Sequence, residues 1–323
     1  MRFNSFVFNS FFFNRYVLNI LVGSLNGRHS KPMLLSTQFL AKTNNSTVQQ
    51  SVHRAFSLLY NGNVKYDKIW LMLSDQAPYM LKAGKGLKDV FDNLKHVSCI
   101  VHALNLVCEE IKCEYGVVNE FISQMKAALS KSHSRKQLYA DETKLPFPPD
   151  VIEIRWNSWL NAAFFYAKNY TAIKNAAHKF ANDAKCVERL QKCFDEDLEN
   201  QLHSVHNFKF ISDAIKQLEA EGLTAEKQLN ILNSVRSQLH GRYATKLNSS
   251  LEKNPDIFFF DALPLDKKLI CMYAPLTSVS VERSFSMYKY ILSDRRQTLK
   301  PENLAKLNVI QFNSFINIDE NDF

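Results

Sequence analysis

A few residues in this chain have types and spacings suited to chemistry. Asp75 follows KIWLMLS, an apolar run in which Ile69, Leu71 and Leu73 alternate with Trp70 and Met72. A run apolar on both faces predicts a short strand buried on both sides of a sheet. Pro78, Ala83, Leu87 and Val90 then predict a helix, so Asp75 stands where a strand gives way to a helix. Open α/β sheets place ligands at that edge, although aspartate also serves there simply as a helix cap. Glu282, in SVSVERSFSMYK, lies beside the apolar face of another predicted helix, where a solvent-facing role is equally open. Cys99 and His102 form a C-x-x-H spacing. Zinc would need two more ligands, and no second C-x-x-C or H-x-x-x-H pair occurs, so core packing for Cys99 and a structural hydrogen bond for His102 are expected. Arg155 and Trp156 open a long helical pattern in which Trp156, Leu160, Ala163, Ala167 and Tyr170 make one stripe, which reads as core.

The surrounding elements follow from periodicity. Tyr16 to Leu25 predicts a strand, Asn26-Gly27 a hairpin turn and Leu34 to Leu40 the partner strand. Thr43 to Thr47 supply cap residues for a helix with Val48, Val52, Phe56 and Leu59 on one face. After the Asp75 strand, Val97, Cys99 and Val101 suit a second strand, and Leu104, Val107, Cys108 and Ile111 a helix. Two successive strand-to-helix crossings favour a mixed sheet with helices packed on it. From Ala172 to Leu251 the pattern is helical, with Gly222 and Gly241 as breaks. In the tail, Val281, Phe285, Tyr288 and Leu292 share one helical face, and Pro301 and Glu302 open a helix carrying Leu304, Leu307 and Ile310, with Arg295 and Arg296 between the two.

Composition narrows the class. At 323 residues the chain can bury a large core. Six cysteines (Cys99, Cys108, Cys113, Cys186, Cys193 and Cys271) lie mostly within apolar or helical patterns and read as reduced thiols. The net charge is +8, of which +7 comes from residues 1–66, where seven Lys and Arg face no acid at all. The excess therefore reflects missing acids and not a dense basic cluster, and it is a weak electrostatic footprint for DNA. Asn4, Asn9, Asn14 and Asn19 interrupt the Phe-rich opening, which argues against a signal peptide or a membrane helix.

Four strings in order, SDQAPYM, HVSCIVHALNLV, RWNSWLNAAFFYAKNY and SVSVERSFSMYK with LSDRRQTLKPENL, make the chain resemble hAT-superfamily transposases and their domesticated relatives. The likeness spans roughly Arg15 to Asn313. It implies an α/β protein: a ribonuclease-H-like mixed sheet, interrupted by an all-α insertion and closed by C-terminal helices that carry the dimerisation region. The corresponding divisions are an atypical Phe/Asn-rich leader (1–14), the first part of the core (15–145), a helical insertion (146–260) and the closing helices (261–323). Complete members add a zinc-binding BED-type module, whereas no cysteine precedes Cys99 here. The resemblance implies DNA as partner, self-association through the C-terminal region and a nuclear setting. It also makes Asp75 and Glu282 the second and third acids of a magnesium-binding catalytic triad, Cys99 and His102 neighbours of that site, and Arg155 and Trp156 DNA contacts, the tryptophan stacking on a flipped base.

The first acid belongs on the opening strand, but residues 6–14 hold no carboxylate, and the first acid of the chain is Asp67. Two dications about 4 Å apart repel by roughly 16 kcal/mol at an effective dielectric near 20, and shared carboxylates must offset this. Neither Asn9 nor Asn14 brings the charge. The expectation is a truncated, catalytically inactive hAT-derived protein with weak magnesium binding. Two other readings stand beside it: an active transposase with a truncated or mis-joined N-terminus, and an interaction scaffold that binds no DNA.

Overall fold

The computed structural model describes residues 2–12, 15–152, 156–291 and 299–314. Five strands form one mixed sheet: β1 (Arg2–Phe12), β2 (Arg15–Leu25), β3 (Met33–Leu40), β4 (Ile69–Ser74) and β5 (Lys95–Ser98), in the order β3-β2-β1-β4-β5. The first three pair antiparallel, while β4 runs parallel to both β1 and β5. The helices in chain order are α1 (Asn45–Leu59), α2 (Pro78–Lys88), α3 (Ile100–Glu114), α4 (Gly116–Ser130), α5 (His133–Thr143), α6 (Trp156–Lys168), α7 (Tyr170–His178) and α8 (Lys185–Lys192). They continue with α9 (Glu196–His206), α10 (Lys209–Leu218), α11 (Ala225–Gln238), α12 (Gly241–Glu252), α13 (Leu265–Ile270), α14 (Val279–Ile291) and α15 (Pro301–Asn313). Leu292, Arg295 and Arg296 lie outside the described residues, as does the side chain of Tyr288. Among the described residues no helix is long and apolar enough to cross a membrane.

The chain divides into two compact units. One comprises Met1–Ala103, Leu218–Ser234 and Asn248–Phe323; the other comprises Leu104–Gln217 and Val235–Leu247. The helical unit thus begins at Leu104, not at Pro146, and the sheet-bearing unit takes back 218–234. The stretch 1–14, read from sequence as a leader, supplies β1, which pairs along its whole length with β2 and places Phe6 opposite Leu73 of β4.

In the sheet unit, the period-2 geometry of β2 sends alternate residues to opposite faces. Leu18, Ile20 and Val22 join Val48, Val52 and Phe56 of α1 and Met80, Ala83 and Leu87 of α2 in one apolar cluster. On the other face Val17 packs with Phe285, Ile291 and Leu304. Each such aliphatic side chain taken from water contributes about 1.5–3 kcal/mol. Asn19 also points to this second face; its Nδ2 donates to Ser284 Oγ of α14 at 2.8 Å, so a buried amide finds a partner in the helix covering it. Helix α15 covers β3. Asn308 Nδ2 donates to Thr37 Oγ1 at 2.9 Å, and the Asn313 amide both accepts from Leu34 N at 2.9 Å and donates to Leu34 O at 3.0 Å. That side chain imitates a strand partner where the β2–β3 register shifts.

Helix α1 starts at a capping box in which Asn44 accepts from Thr47 N at 2.9 Å and Thr47 Oγ1 accepts from Asn44 N at 3.0 Å. Strand β5 ends at Ser98 and α3 begins at Ile100, so Cys99 and Val101 are not strand residues as their β-prone types suggest. On α15, Leu304 is buried, but Leu307 and Ile310 are 38% and 65% exposed, so the apolar spacing there does not face the core.

The helical unit is held by aromatic packing. Phe121 meets Tyr166 and Phe194 edge-on at 4.9 and 5.3 Å between ring centroids. Leu160, Ala163 and Tyr170 of the predicted stripe are buried, together with Trp159 and Tyr166. Arg135 is buried as well, its Nε donating to Ala128 O at 2.8 Å and its Nη1 to Asp183 at 2.5 Å.

Gly84 of α2 faces the ring of His96 so closely that a Cβ there would lie 2.1 Å from Nδ1. Because His96 is itself buried, the ring has little room to retreat. Gly84→Ala is expected to lower unfolding stability by about 1–3 kcal/mol, the usual size of overpacking, as read from urea denaturation midpoints. An unchanged midpoint would contradict this packing.

Candidate functional site

Strand β4 delivers Ser74 and Asp75 at its carboxyl end, and the backbone there is fixed from several directions. Ser74 O accepts from Cys99 N at 2.8 Å, which ties the end of β4 to the turn after β5. Ser74 Oγ lies 2.8 Å from His96 Nε2 and donates to Asp75 O at 2.8 Å. Gln76 is clasped by Ser250, whose hydroxyl donates to Oε1 at 2.6 Å and whose carbonyl accepts from Nε2 at 3.1 Å.

The Asp75 carboxyl accepts from Ala77 N at 3.1 Å, at the entrance to α2. That bond closes a turn ahead of the helix; the N-cap of α2 is Ala77, and no side chain caps it, so Asp75 is not the helix cap its position suggests. Part of the residue still reaches solvent, yet the atoms crowded around the carboxyl remove enough water to raise its pKa, against the Ala77 hydrogen bond and the nearby His102 charge, which lower it. A raised carboxyl pKa favours folding below the ordinary 3.8 and loses that contribution as pH rises through the folded value. The ionised carboxylate is thus held at a cost, which a cation beside it would offset.

Cys99 is the N-cap of α3 in all but residue type. Its buried sulfur accepts from the His102 backbone N–H three residues on, from Ser278 N at 3.3 Å and from Ser278 Oγ at 3.1 Å. Burial raises the thiol pKa against those hydrogen bonds, and the charge of Glu282 raises it further. So Cys99 remains a neutral acceptor with its geometry filled. The C-x-x-H spacing is a capping turn, with the His102 side chain exposed.

Ser278 precedes α14, and Glu282 N donates to Ser278 O at 3.2 Å, which puts Glu282 in the first turn of that helix. The structure therefore groups four of the residues singled out from sequence around one turn: Asp75 feels His102, and Cys99 feels Glu282. Of the other two, Arg155 lies outside the described residues, and Trp156 opens α6 with its side chain outside them.

A two-metal centre is not matched by these donors. Strand β1, RFNSFVFNSFF, contributes no carboxylate, and among the described residues no group of three or more His, Cys, Asp and Glu side chains is disposed to hold a metal ion.

Sequence reading missed the buried polar network behind the site. Asp256, in the short 3₁₀ turn Pro255–Phe258, accepts from His96 N at 2.8 Å and pairs with Lys88. Ser74, His96 and Asp256 are not a nucleophilic triad, because Asp256 holds the backbone of His96, not its ring, and both Ser74 and His96 are sealed from solvent. No local signal joins residues so far apart in sequence. Compared with known proteins, the chain matches no family model and no curated protein.

The network is pH-sensitive. Burial, aided by the Lys88 charge and opposed by Asp256, lowers the His96 pKa from the ordinary 6.5 to about 4. The folded state resists the proton that the unfolded chain accepts, so this stability is complete above pH 6.5 and is lost as pH falls toward 4. The loss expected is roughly 3 kcal/mol, from 1.36 kcal/mol per pKa unit. Urea denaturation from neutral pH down through that window should show it, and His96→Gln should flatten the profile; a slope equal in both proteins would remove His96 as the cause.

Proposed function

We propose that this protein is a hAT-transposase relative with a ribonuclease-H-like core, retained for association with DNA and with itself and unable to carry out strand transfer. The observation that carries this reading is the mixed sheet β3-β2-β1-β4-β5, with Asp75 at the carboxyl end of β4 and Glu282 in the first turn of a helix packed on the same sheet. An acid at that strand end and another on that helix support the framework which the four sequence strings imply. A nuclear setting, with DNA as partner, follows from the same reading. The missing element is a carboxylate on β1, where RFNSFVFNSFF lies beside β4. Asp75 and Glu282 are then vestigial ligands, and magnesium binding is weak.

The test is nicking of supercoiled DNA with magnesium or manganese, alongside DNA binding measured over a salt titration. The expected outcome is no metal-dependent nicking, with binding that weakens steeply as salt rises, since phosphate contacts release counterions. Nicking that disappears in Asp75→Ala would overturn the inactive reading.

A second reading, a scaffold that acts through protein contacts alone, is favoured by one observation. Leu265 and Leu269 of α13 are 75% and 52% exposed, and Leu307 and Ile310 of α15 are also turned to solvent. Self-association through the C-terminal helices is part of both readings. Light scattering should report a species larger than one chain, and Ile310→Asp with Leu307→Asp should shift it at least tenfold toward monomer. A wild-type chain that is monomeric at high micromolar concentration would remove self-association from the proposal.

A further inference from the structure

The sheet-bearing unit contains a cavity of about 280 Å³ whose lining includes none of Asp75, Cys99, His102 or Glu282. Its walls come from the end of β2, the β2–β3 loop, the loop between α10 and α11, and the start of α14. Two glycines at positive φ shape those loops: Gly27 at 78°, whose N–H donates to Ile270 O at 3.0 Å, and Gly222 at 75°. Gln228 fixes the back wall. Its buried amide donates to Leu223 O and Ala274 O at 3.3 Å and accepts from Leu276 N at 2.9 Å, so one side chain pins the loop before α11 and the stretch 274–276. The site is therefore built on an anchored frame.

Its chemistry is two-sided. Pro32, Pro275, Val279, Met287 and Phe312 give an apolar wall, and His29 meets Tyr273 edge-on at 5.9 Å to present aromatic surface. Arg28, Lys31 and Arg283 bring three cations to the same cavity, against Glu219 and Glu221. Glu221 is shared: Lys31 Nζ lies 3.9 Å from one carboxylate oxygen and Arg283 Nη1 is hydrogen-bonded to the other. All three of those side chains are about half exposed, and exposed pairs of this kind are weak. The hydroxyl of Ser24, also in the wall, is buried and has no hydrogen-bond partner among the described residues.

A carboxylate that bridges Lys31 and Arg283 marks where an anion sits, and a phosphate would hold the same cations more strongly through charge-assisted, bidentate contacts. We propose that this cavity binds a small phosphate-bearing molecule with a planar ring, of mononucleotide size. The ring lies against the aromatic and apolar wall, and the phosphate displaces Glu221 from Lys31 and Arg283, with Arg28 as a further contact. Until then Glu221 acts as an internal stand-in for the ligand. This inference rests on the cavity and holds whether or not the chain is a transposase relative.

Isothermal titration calorimetry on the full chain at low ionic strength tests it, with adenosine monophosphate, adenosine and inorganic phosphate as probes. Adenosine monophosphate should bind at least tenfold more tightly than either fragment. Arg283→Ala and Arg28→Ala should each weaken it at least tenfold, whereas Glu221→Gln should tighten it several-fold by releasing the cations. These three positions are exposed, so circular dichroism should show intact folds. No binding of the monophosphate to wild type or Glu221→Gln, affinity unchanged in Arg283→Ala, or weaker binding to Glu221→Gln would each overturn the proposal. Inorganic phosphate binding as tightly as the nucleotide would overturn the ring's part in it.

Discussion

Strand β2 is apolar on both faces and buried on both, and the architecture of the sheet unit depends on that constraint. A strand of this kind cannot sit at a solvated surface. Helices α1 and α2 cover the side of Leu18, Ile20 and Val22, and α14 and α15 cover the side of Val17 and Asn19. Residues near the two ends of the chain are therefore brought together over one strand. Asn19 adds specificity to what would otherwise be greasy contact. A buried amide donor without an acceptor is expensive, so the Asn19 Nδ2 favours the face of α14 that presents Ser284, while its Oδ1 is buried with no partner among the described residues. The two asparagines of α15, Asn308 and Asn313, act the same way on β3.

The candidate site is a consequence of that closure. Ser278 and Glu282 reach the turn after β5 because α14 lies on the sheet, and Ser278 completes the acceptor geometry of Cys99. The same turn is bonded to the end of β4 through Ser74, so Asp75, Cys99, His102 and Glu282 form one neighbourhood although Asp75 and Glu282 are 207 positions apart in the chain. Two carboxylates belong to that neighbourhood, and the sequence of β1 adds none.

Much of this architecture is legible in the sequence. The β2–β3 hairpin, the buried β4, the Asn44 cap with its α1 stripe, and the Pro301 start of α15 rest on local signals: period 2, period 3.6, a turn dipeptide, a cap residue. Other readings fail for identifiable reasons. Val97, Cys99 and Val101 alternate like strand residues, yet the chain turns into α3 after Ser98, where a cysteine does a capping job that composition would assign to serine or aspartate. The stretch 1–14 lacks an uninterrupted apolar pattern because asparagines and serines interrupt its phenylalanines, yet residues 2–12 within it form β1 since the sheet offers them partners on both edges. The helical unit begins at Leu104, within a continuous helical pattern that carries no loop signal.

The sequence alone determined those strands and helices whose buried face repeats at period 2 or 3.6 without interruption, and it determined that no acid precedes Asp67. It also identified Asp75 and Glu282 as residues worth watching. Only the tertiary structure decided which distant groups meet: Ser278 on Cys99, Asp256 on His96, Glu221 between Lys31 and Arg283. Local pattern records the free energy of burying one face of one element, and that is written in neighbouring residues. Contacts between elements depend on which faces are left uncovered once the sheet has formed, and no short stretch of chain carries that information.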